Sequence, residues 1–188
     1  MESYLAKIND FVLKLHPAVT KCLQDISYTT VFKKGSTLLN PGEICQKSYF
    51  IENGVARKFY LNDGKQITTE LYFPNDIAVS FGSYSKQEPA LEYIEALTDI
   101  TVSVTSYSSF QKAKAQFPRL LELDLLFTEY YGMSLEERLF QFQTLSATDR
   151  YKLLLTKSPH IVQAIPVTII ASYLGVSLET LSRIRAKI

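Results

Sequence analysis

The sequence has few of the residues that usually carry chemistry at an active site. Among 188 residues there are two cysteines, Cys22 and Cys45, two histidines, His16 and His160, and no tryptophan. The cysteines form no C-x-x-C pattern, so a disulfide framework, a zinc site and an iron-sulfur cluster each lack their ligand set. The two histidines lie near opposite ends of the chain, which disfavours histidine-based catalysis, metal-dependent hydrolysis and haem sensing. We therefore expect no enzyme activity, no metal and no cofactor.

Long hydrophobic runs are also lacking. No stretch approaches the roughly 18 apolar residues of a membrane span, and residues 1–10 are polar and charged where a signal peptide would be apolar. We expect a cytoplasmic protein without a membrane partner. Hydrophobic residues make up 46% of the chain and aromatic residues 12%, which is enough for a globular core of one large domain or two small ones.

The net charge of +1 conceals an uneven distribution along the chain. Residues 1–149 carry 14 Lys and Arg against 18 Asp and Glu, a net −4, whereas residues 150–188 carry 6 basic residues against Glu179 alone, a net +5. A small basic segment after an acidic body suits a polyanion partner, because phosphate neutralisation supplies most non-specific affinity for nucleic acid. On charge alone, a solvated surface fits equally well.

The first part of the chain predicts helices followed by strands. In residues 1–25 the apolar positions recur three and four apart, which predicts one or two short helices broken near Pro17. From residue 27 to 105, short segments rich in β-branched and aromatic residues alternate with turns about every 8 to 12 residues, which is typical of an all-β barrel or sandwich. Asn62-Asp63-Gly64 predicts a tight hairpin between residues 56–61 and 66–72.

A long helix is predicted from Pro118 to about Gln143. At 1.5 Å per residue it would be roughly 39 Å long, more than one small barrel can cover. One face has the alternating four and three spacing of a coiled coil. This dimer seam consists of Leu121, Leu125, Thr128, Gly132, Leu135, Leu139 and Phe142.

A second apolar face of the same helix is expected to pack on the barrel. It consists of Leu120, Leu123, Leu126, Phe127, Tyr130 and Tyr131. Because two apolar faces on one helix need two partners, we expect a homodimer; a helix buried wholly within its own subunit is the alternative.

Residues 165–188 predict two short helices joined by a tight turn. Gly175 permits the turn, Val176 fills the corner and Ser177 caps the second helix. The apolar residues expected to face inward are Ile169, Ile170, Ala171, Leu174, Leu181, Ile184 and Ile188. The outward side chains offer donors, acceptors and one apolar contact, a mixture that suits base edges and phosphates in a major groove.

The segment from Ile170 to Ile184 resembles the helix-turn-helix of the Crp/Fnr transcription regulators. The resemblance extends upstream, because Thr37–Glu43 and Tyr49–Gly54 are similar to the start of the cyclic-nucleotide-binding barrel of that family. It implies a homodimeric regulator whose second helix reads a palindromic operator in the major groove. The implied partners are DNA, a second copy of the chain, RNA polymerase and an unidentified small-molecule effector.

The fold class expected from pattern and resemblance together is α+β. We expect a jelly-roll, cyclic-nucleotide-binding-like antiparallel β-barrel with N-terminal helices in residues 1–117. A dimerisation helix follows in residues 118–143, and an all-α helix-turn-helix domain in residues 144–188.

The resemblance also implies roles for residues of the second helix. Glu179 and Arg183 match base-reading positions, and Ser177 and Thr180 match positions that touch backbone phosphate. Leu178 stands where the family commonly has an arginine that reads guanine, so we expect a different operator sequence. The candidate DNA-binding residues are Ser177, Leu178, Glu179, Thr180, Ser182, Arg183, Arg185 and Lys187.

The residues that hold a cyclic nucleotide in this family are replaced in the sequence. Val79-Ser80-Phe81 stands for the Gly-Glu-Leu turn at the ribose, Ala90-Leu91 for the Arg-Ser phosphate clamp, and Leu135-Glu136 for the Thr-Ser pair at adenine. A charge-assisted contact to a buried phosphate contributes about 1.5 to 3 kcal/mol, so we do not expect ordinary cyclic AMP affinity. A candidate pocket for another small molecule comprises Ser80, Phe81, Gly82, Ser83, Tyr84, Ala90 and Leu91, and side chains that simply fill the barrel are the equal alternative.

Other functions remain open from the sequence. One is a cyclic-nucleotide or other small-ligand signalling module with weak or lost DNA binding. Another is a cupin-like enzyme, which the strand pattern permits but which lacks a close pair of histidines in residues 27–105.

Overall fold

The structure, a computed structural model, describes residues 2–157 and 159–188. The helices are α1 Glu2–Leu13, α2 Pro17–Asp25, α3 Phe81–Lys86, α4 Tyr107–Gln116, α5 Arg119–Thr144, α6 Ala147–Lys157, α7 Pro159–Ala164, α8 Val167–Leu174 and α9 Leu178–Arg185. The strands are β1 Ser27–Phe32, β2 Thr37–Leu39, β3 Lys47–Asn53, β4 Ala56–Asn62, β5 Lys65–Tyr72, β6 Ile77–Ala78, β7 Tyr93–Ala96 and β8 Ile100–Ser106.

The chain forms two compact units. The helical unit comprises Met1–Tyr28 and Thr105–Leu145, and the sandwich unit comprises Thr29–Val104 and Ser146–Ile188. Within the described residues no single helix is long and apolar enough to cross a membrane, and α8 and α9 reach that length and apolarity only as a pair bent by 102°.

The strands of the sandwich form two four-stranded sheets. One sheet has the order β1-β8-β3-β6 and the other the order β2-β7-β4-β5. Two sheets of four strands make the double-sheet jelly roll. The expected antiparallel jelly roll is thus present as a sandwich rather than a closed barrel, because among the described strands none pairs with both sheets.

Apolar side chains from the facing sides of both sheets form the core of the sandwich. Ile51, Ile94, Ile100 and Val102 are fully buried in it. The predicted hairpin is confirmed by the β4–β5 pairing, which runs to Asn62 opposite Lys65. Its two central residues, Asp63 and Gly64, both have positive φ (48° and 74°), the conformation of a tight I′-type turn.

The helical unit has its own core. Leu120, Leu123 and Leu126 of α5 are buried in a cluster with residues of α1, α2 and α4, among them Ile8 and Ala113. The second apolar face predicted for the long helix thus has apolar partners among the helices of its own unit. The helix α2 begins after His16, whose Nδ1 accepts a hydrogen bond from the Ala18 N–H at 3.2 Å.

The C-terminal helices pack on the outer side of the β2-β7-β4-β5 sheet. Leu71 and Leu97 of the sandwich share a buried cluster with Leu154, Ile170 and Leu181 of α6, α8 and α9. The predicted loop at Lys157–His160 is largely absent, because α6 extends to Lys157 and α7 begins at Pro159. Ser158 lies outside the described residues.

Candidate nucleic-acid interface and ligand pocket

A tight turn joins α8 to α9 and sets the helices 102° apart, within the range of helix-turn-helix pairs. Gly175 has a φ of 66°, and its N–H donates to the carbonyl of Ser172 at 3.1 Å. The left-handed conformation explains the glycine, because other L-residues adopt it at a cost. Ser177 caps α9, with its Oγ accepting from the Thr180 N–H at 3.2 Å.

The burial pattern of α9 divides it into an inner and an outer face. Leu181 and Ile184 are buried and join the core beneath the helix, as expected. Ile188 is 57% exposed, so its predicted inward position is wrong, because α9 ends at Arg185 and Ile188 lies beyond the last turn.

The candidate DNA-binding side chains occupy the outer face of α9 and its ends. All are exposed except Thr180, which is half-buried. They are Ser177, Leu178, Glu179, Thr180, Ser182, Arg183, Arg185 and Lys187.

The outer face of α9 combines a carboxylate with basic groups. A hydrogen bond from the Ser177 hydroxyl is the main cause that lowers the pKa of Glu179, and the charge of Arg183 contributes in the same direction. Glu179 is therefore ionised at neutral pH and is an acceptor of the kind that cytosine N4 requires. Arg183 lies across the helix surface, with Nε 3.4 Å from the Glu179 carbonyl and a terminal nitrogen 3.4 Å from Thr180 Oγ1.

A serine that sequence reasoning missed holds α8 against the sandwich. Ser172 Oγ accepts from the Thr68 N–H at 2.8 Å and donates to the Gln66 carbonyl at 3.0 Å. Both partners belong to β5, the edge strand of its sheet. Because an edge strand has backbone groups without a partner strand, one hydroxyl that bonds to two of them fixes the helix to the sheet.

The dimer seam of α5 is uncovered within the single chain. All seven seam residues are exposed, with Leu121 at 55%, Leu125 at 57% and Leu139 at 58%. The opposite face of the helix is buried by its own unit, as described above. The two apolar faces expected from the sequence are thus present, one buried in the helical unit and the other exposed.

The candidate pocket residues differ in their burial. Ser80, Ser83 and Ala90 are buried, and Tyr84 packs against the sandwich core. Leu91 is 76% exposed. Phe81 is half-buried and Gly82 is exposed. A surface cavity of about 220 Å³ lies beside Leu39, Ile44 and Cys45, and none of the seven candidate residues lines it.

Polar and charged side chains cluster inside the sandwich near Ser80. The Ser80 hydroxyl donates to Glu92 Oε1 at 2.6 Å, and the Leu91 N–H donates to Glu92 Oε2 at 3.1 Å. Lys58 and Glu70, paired across β4 and β5, form an ion pair at 2.6 Å with side chains only 6% and 15% exposed. Burial raises the pKa of Tyr60, and the charges of Glu92 and Glu70 raise it further.

Neither Lys58 nor Glu92 could be identified as an interior residue from the sequence. The only available signal is the alternation of strand residues, which puts Lys58 on the same face as the core residue Ala56. Among the described residues, no group of three or more His, Cys, Asp and Glu side chains is placed to hold a metal ion.

Comparison with known proteins agrees with this architecture. Residues 29–117 match the family described as cyclic nucleotide-binding domain. No curated protein shows significant sequence similarity to the chain. The sandwich strands from Thr29 onward are thus similar to a domain of the cyclic nucleotide-binding type.

Solved structures extend the likeness to most of the chain. FixK2 from Bradyrhizobium japonicum matches with a TM-score of 0.73 at 19% identity, covering 86% of this chain and 84% of that one. A protein from Eubacterium rectale described as a Crp/Fnr-family transcriptional regulator matches with a TM-score of 0.72 at 19% identity, covering 92% and 83%. The c-di-GMP-responsive global regulator CLP from Xanthomonas campestris matches with a TM-score of 0.65 at 14% identity, covering 92% and 91%. The chain therefore shares the fold of Crp/Fnr-type regulators.

Proposed function

We propose that this protein is a homodimeric, sequence-specific DNA-binding transcription regulator of the Crp/Fnr type. In this proposal α9 reads the operator, α5 forms the dimer, and the sandwich is a sensor or scaffold without the usual cyclic-nucleotide phosphate clamp. RNA polymerase and a small-molecule effector are further partners that the same architecture would serve.

The observation that carries the proposal is the outer face of α9. Buried Leu181 and Ile184 hold the inner face of the helix in the core, and Ser177 caps its N-terminus. The exposed side chains of α9 therefore point away from the protein in a defined direction. An ionised glutamate and an arginine lie four positions apart on that face, with Arg185 and Lys187 following. Glutamate and arginine discriminate cytosine and guanine by hydrogen bonds, and the later basic residues suit phosphates.

The exposed seam of α5 supports the proposed dimer. A palindromic operator is read by two copies related by a two-fold axis, with half-sites about one helical turn apart. A seam of seven exposed positions along one face of a 26-residue helix supports pairing of this kind.

The experiment is selection of a preferred operator from random DNA, followed by titration with that operator and with unrelated DNA at several salt concentrations. Arg183→Ala should weaken operator binding by about 1 to 3 kcal/mol and change unrelated DNA far less. Lys187→Ala should weaken both alike and reduce the salt slope by about one.

Lys112→Ala is the matched control, because it removes one exposed positive charge from α4 rather than from the outer face of α9. It should change neither titration. Failure to select any operator, or equal losses on both DNAs for Arg183→Ala, would contradict the proposed reading role.

A further inference from the structure

Glu92 is a buried carboxylate with a hydrogen-bond donor at each oxygen. It is only 7% exposed and directly precedes β7. Each of its oxygens accepts a hydrogen bond, one from the Ser80 hydroxyl and the other from the Leu91 N–H. The Tyr60 hydroxyl also lies within hydrogen-bonding reach of it. A charge so buried is tolerated only where donors compensate for lost water, so these contacts hold Glu92 in place.

The two principal donors are the residues that the family resemblance associates with a bound nucleotide. Ser80 lies in the segment that stands for the ribose turn, and Leu91 in the pair that stands for the phosphate clamp. In this chain both donate to the protein's own carboxylate. The acidic group in this part of the sandwich is thus the side chain of Glu92 rather than a bound ligand.

The surroundings of Glu92 add no uncompensated positive charge. Lys58 is matched by Glu70 at 2.6 Å. The nearby Cys45 thiol is buried, and its pKa is raised by burial first, with the negative charge of Glu92 acting in the same direction and Lys58 in the opposite one. An incoming phosphate would meet occupied donors and a buried negative charge.

We propose that Glu92 is a built-in anion that takes the place of an anionic ligand inside the sandwich. Its carboxylate ties Ser80, at the start of α3, to Leu91, before β7, so this segment is ordered without an effector. The same carboxylate excludes cyclic nucleotides and other phosphates. This inference rests on the proposed function only in treating the sandwich as a regulator's sensor domain.

The test removes the Glu92 carboxylate by substitution and supplies a carboxylate from solution as acetate. Glu92→Ala leaves the donors of Ser80 and Leu91 without their acceptor. Sodium acetate should then raise the Tm of this variant above its value in sodium chloride of equal ionic strength, by roughly 3 to 6 °C at ten times the dissociation constant. Wild type should show no such difference, and neither should Glu92→Ala combined with Ser80→Ala.

Glu88→Ala is the matched control, because it removes an exposed glutamate from the same connection between β6 and β7. It should respond to acetate and chloride alike. Equal Tm values for Glu92→Ala in the two salts would overturn the proposal. So would micromolar binding of cyclic AMP to wild type in calorimetric titration, because the donors would then be available to a phosphate.

A second variant covers the case in which Glu92→Ala does not fold. Glu92→Gln keeps the shape but presents an NH₂ group to one of two donors, since both oxygens of Glu92 are acceptors. Its Tm should fall by several degrees while that of Glu88→Gln is unchanged. A Glu92→Gln protein as stable as wild type would refute the need for a charged double acceptor.

These outcomes separate the inference from the proposed function. Acetate rescue in a protein that selects no operator would refute DNA reading and leave the role of Glu92 intact. Operator binding by wild type, together with no acetate effect on Glu92→Ala, would refute the built-in anion and leave DNA reading intact.

Discussion

Leu125→Ala should weaken the dimer with little change in the folding of the single chain. Leu125 lies near the middle of the N-terminal half of α5 and is 57% exposed, so its truncation opens no cavity in the helical unit. The expected effect is therefore on association rather than on the core.

The expected loss of dimer stability follows from the exposed fraction of the Leu125 side chain. Burying a leucine side chain completely contributes roughly 1.5 to 3 kcal/mol. Slightly more than half of the Leu125 surface remains to be buried on association, and a two-fold dimer buries it twice. The loss is then roughly 2 to 3 kcal/mol per dimer, or a dissociation constant about 30 to 150 times larger.

Sedimentation velocity over a concentration series measures that dissociation constant. Leu61→Ala is the matched control, since Leu61 is a 53% exposed leucine at the end of β4 and not on the α5 seam. It should leave the dimer unchanged. A wild-type protein that stays monomeric at tens of micromolar, or equal effects of the two variants, would refute the assignment of the seam.

Three glycine substitutions test the seam and the sandwich. Gly132→Ala should stabilise the single chain by up to about 1 kcal/mol in urea unfolding, because the added Cβ has no neighbour within 4 Å and alanine favours helix. If the two α5 helices of the dimer approach closely at this glycine, the same substitution should raise the dimer dissociation constant measured by sedimentation. Gly54→Ala should destabilise by roughly 3 kcal/mol or more in urea unfolding, because its Cβ would lie 2.3 Å from the Asp99 carbonyl at a φ of +87°. Gly64→Ala, at a φ of +74° with open space around it, should cost only about 1 kcal/mol, and equal losses would contradict the predicted clash.

Local signals predicted the elements whose geometry is set by neighbouring residues. The β4–β5 turn was predictable because Asp63 and Gly64 adopt the positive φ values that Asp-Gly favours. The α8–α9 turn was predictable for the same reason at Gly175, and the cap at Ser177 by its hydroxyl. The exposed face of α5 likewise has a spacing that is visible in the sequence.

Long-range partners were not predictable from such signals. An apolar face indicates that a packing partner is needed but does not identify that partner. Leu120 and Leu123 were therefore assigned to the barrel, whereas the structure shows them buried in the core of the helical unit. A strand pattern likewise does not distinguish a closed barrel from two separate sheets. Glu92 was missed for a related reason, because its donors come from Ser80 and Leu91 and only folding shows that it is buried.

The β4–β5 hairpin links the interior of the sandwich to the C-terminal helices. Because neighbouring strand residues point to opposite faces, Lys58 meets Glu70 inside while Arg57 bonds to Glu95 at 2.7 Å on the other face. The backbone of the same strand β5 holds Ser172 of α8. Displacing the hairpin would therefore move the hydrogen-bond partners of α8. If Glu92 acts as the proposed built-in anion, the hairpin keeps one position without a ligand, and α9, the proposed reading helix, stays in place on the sheet.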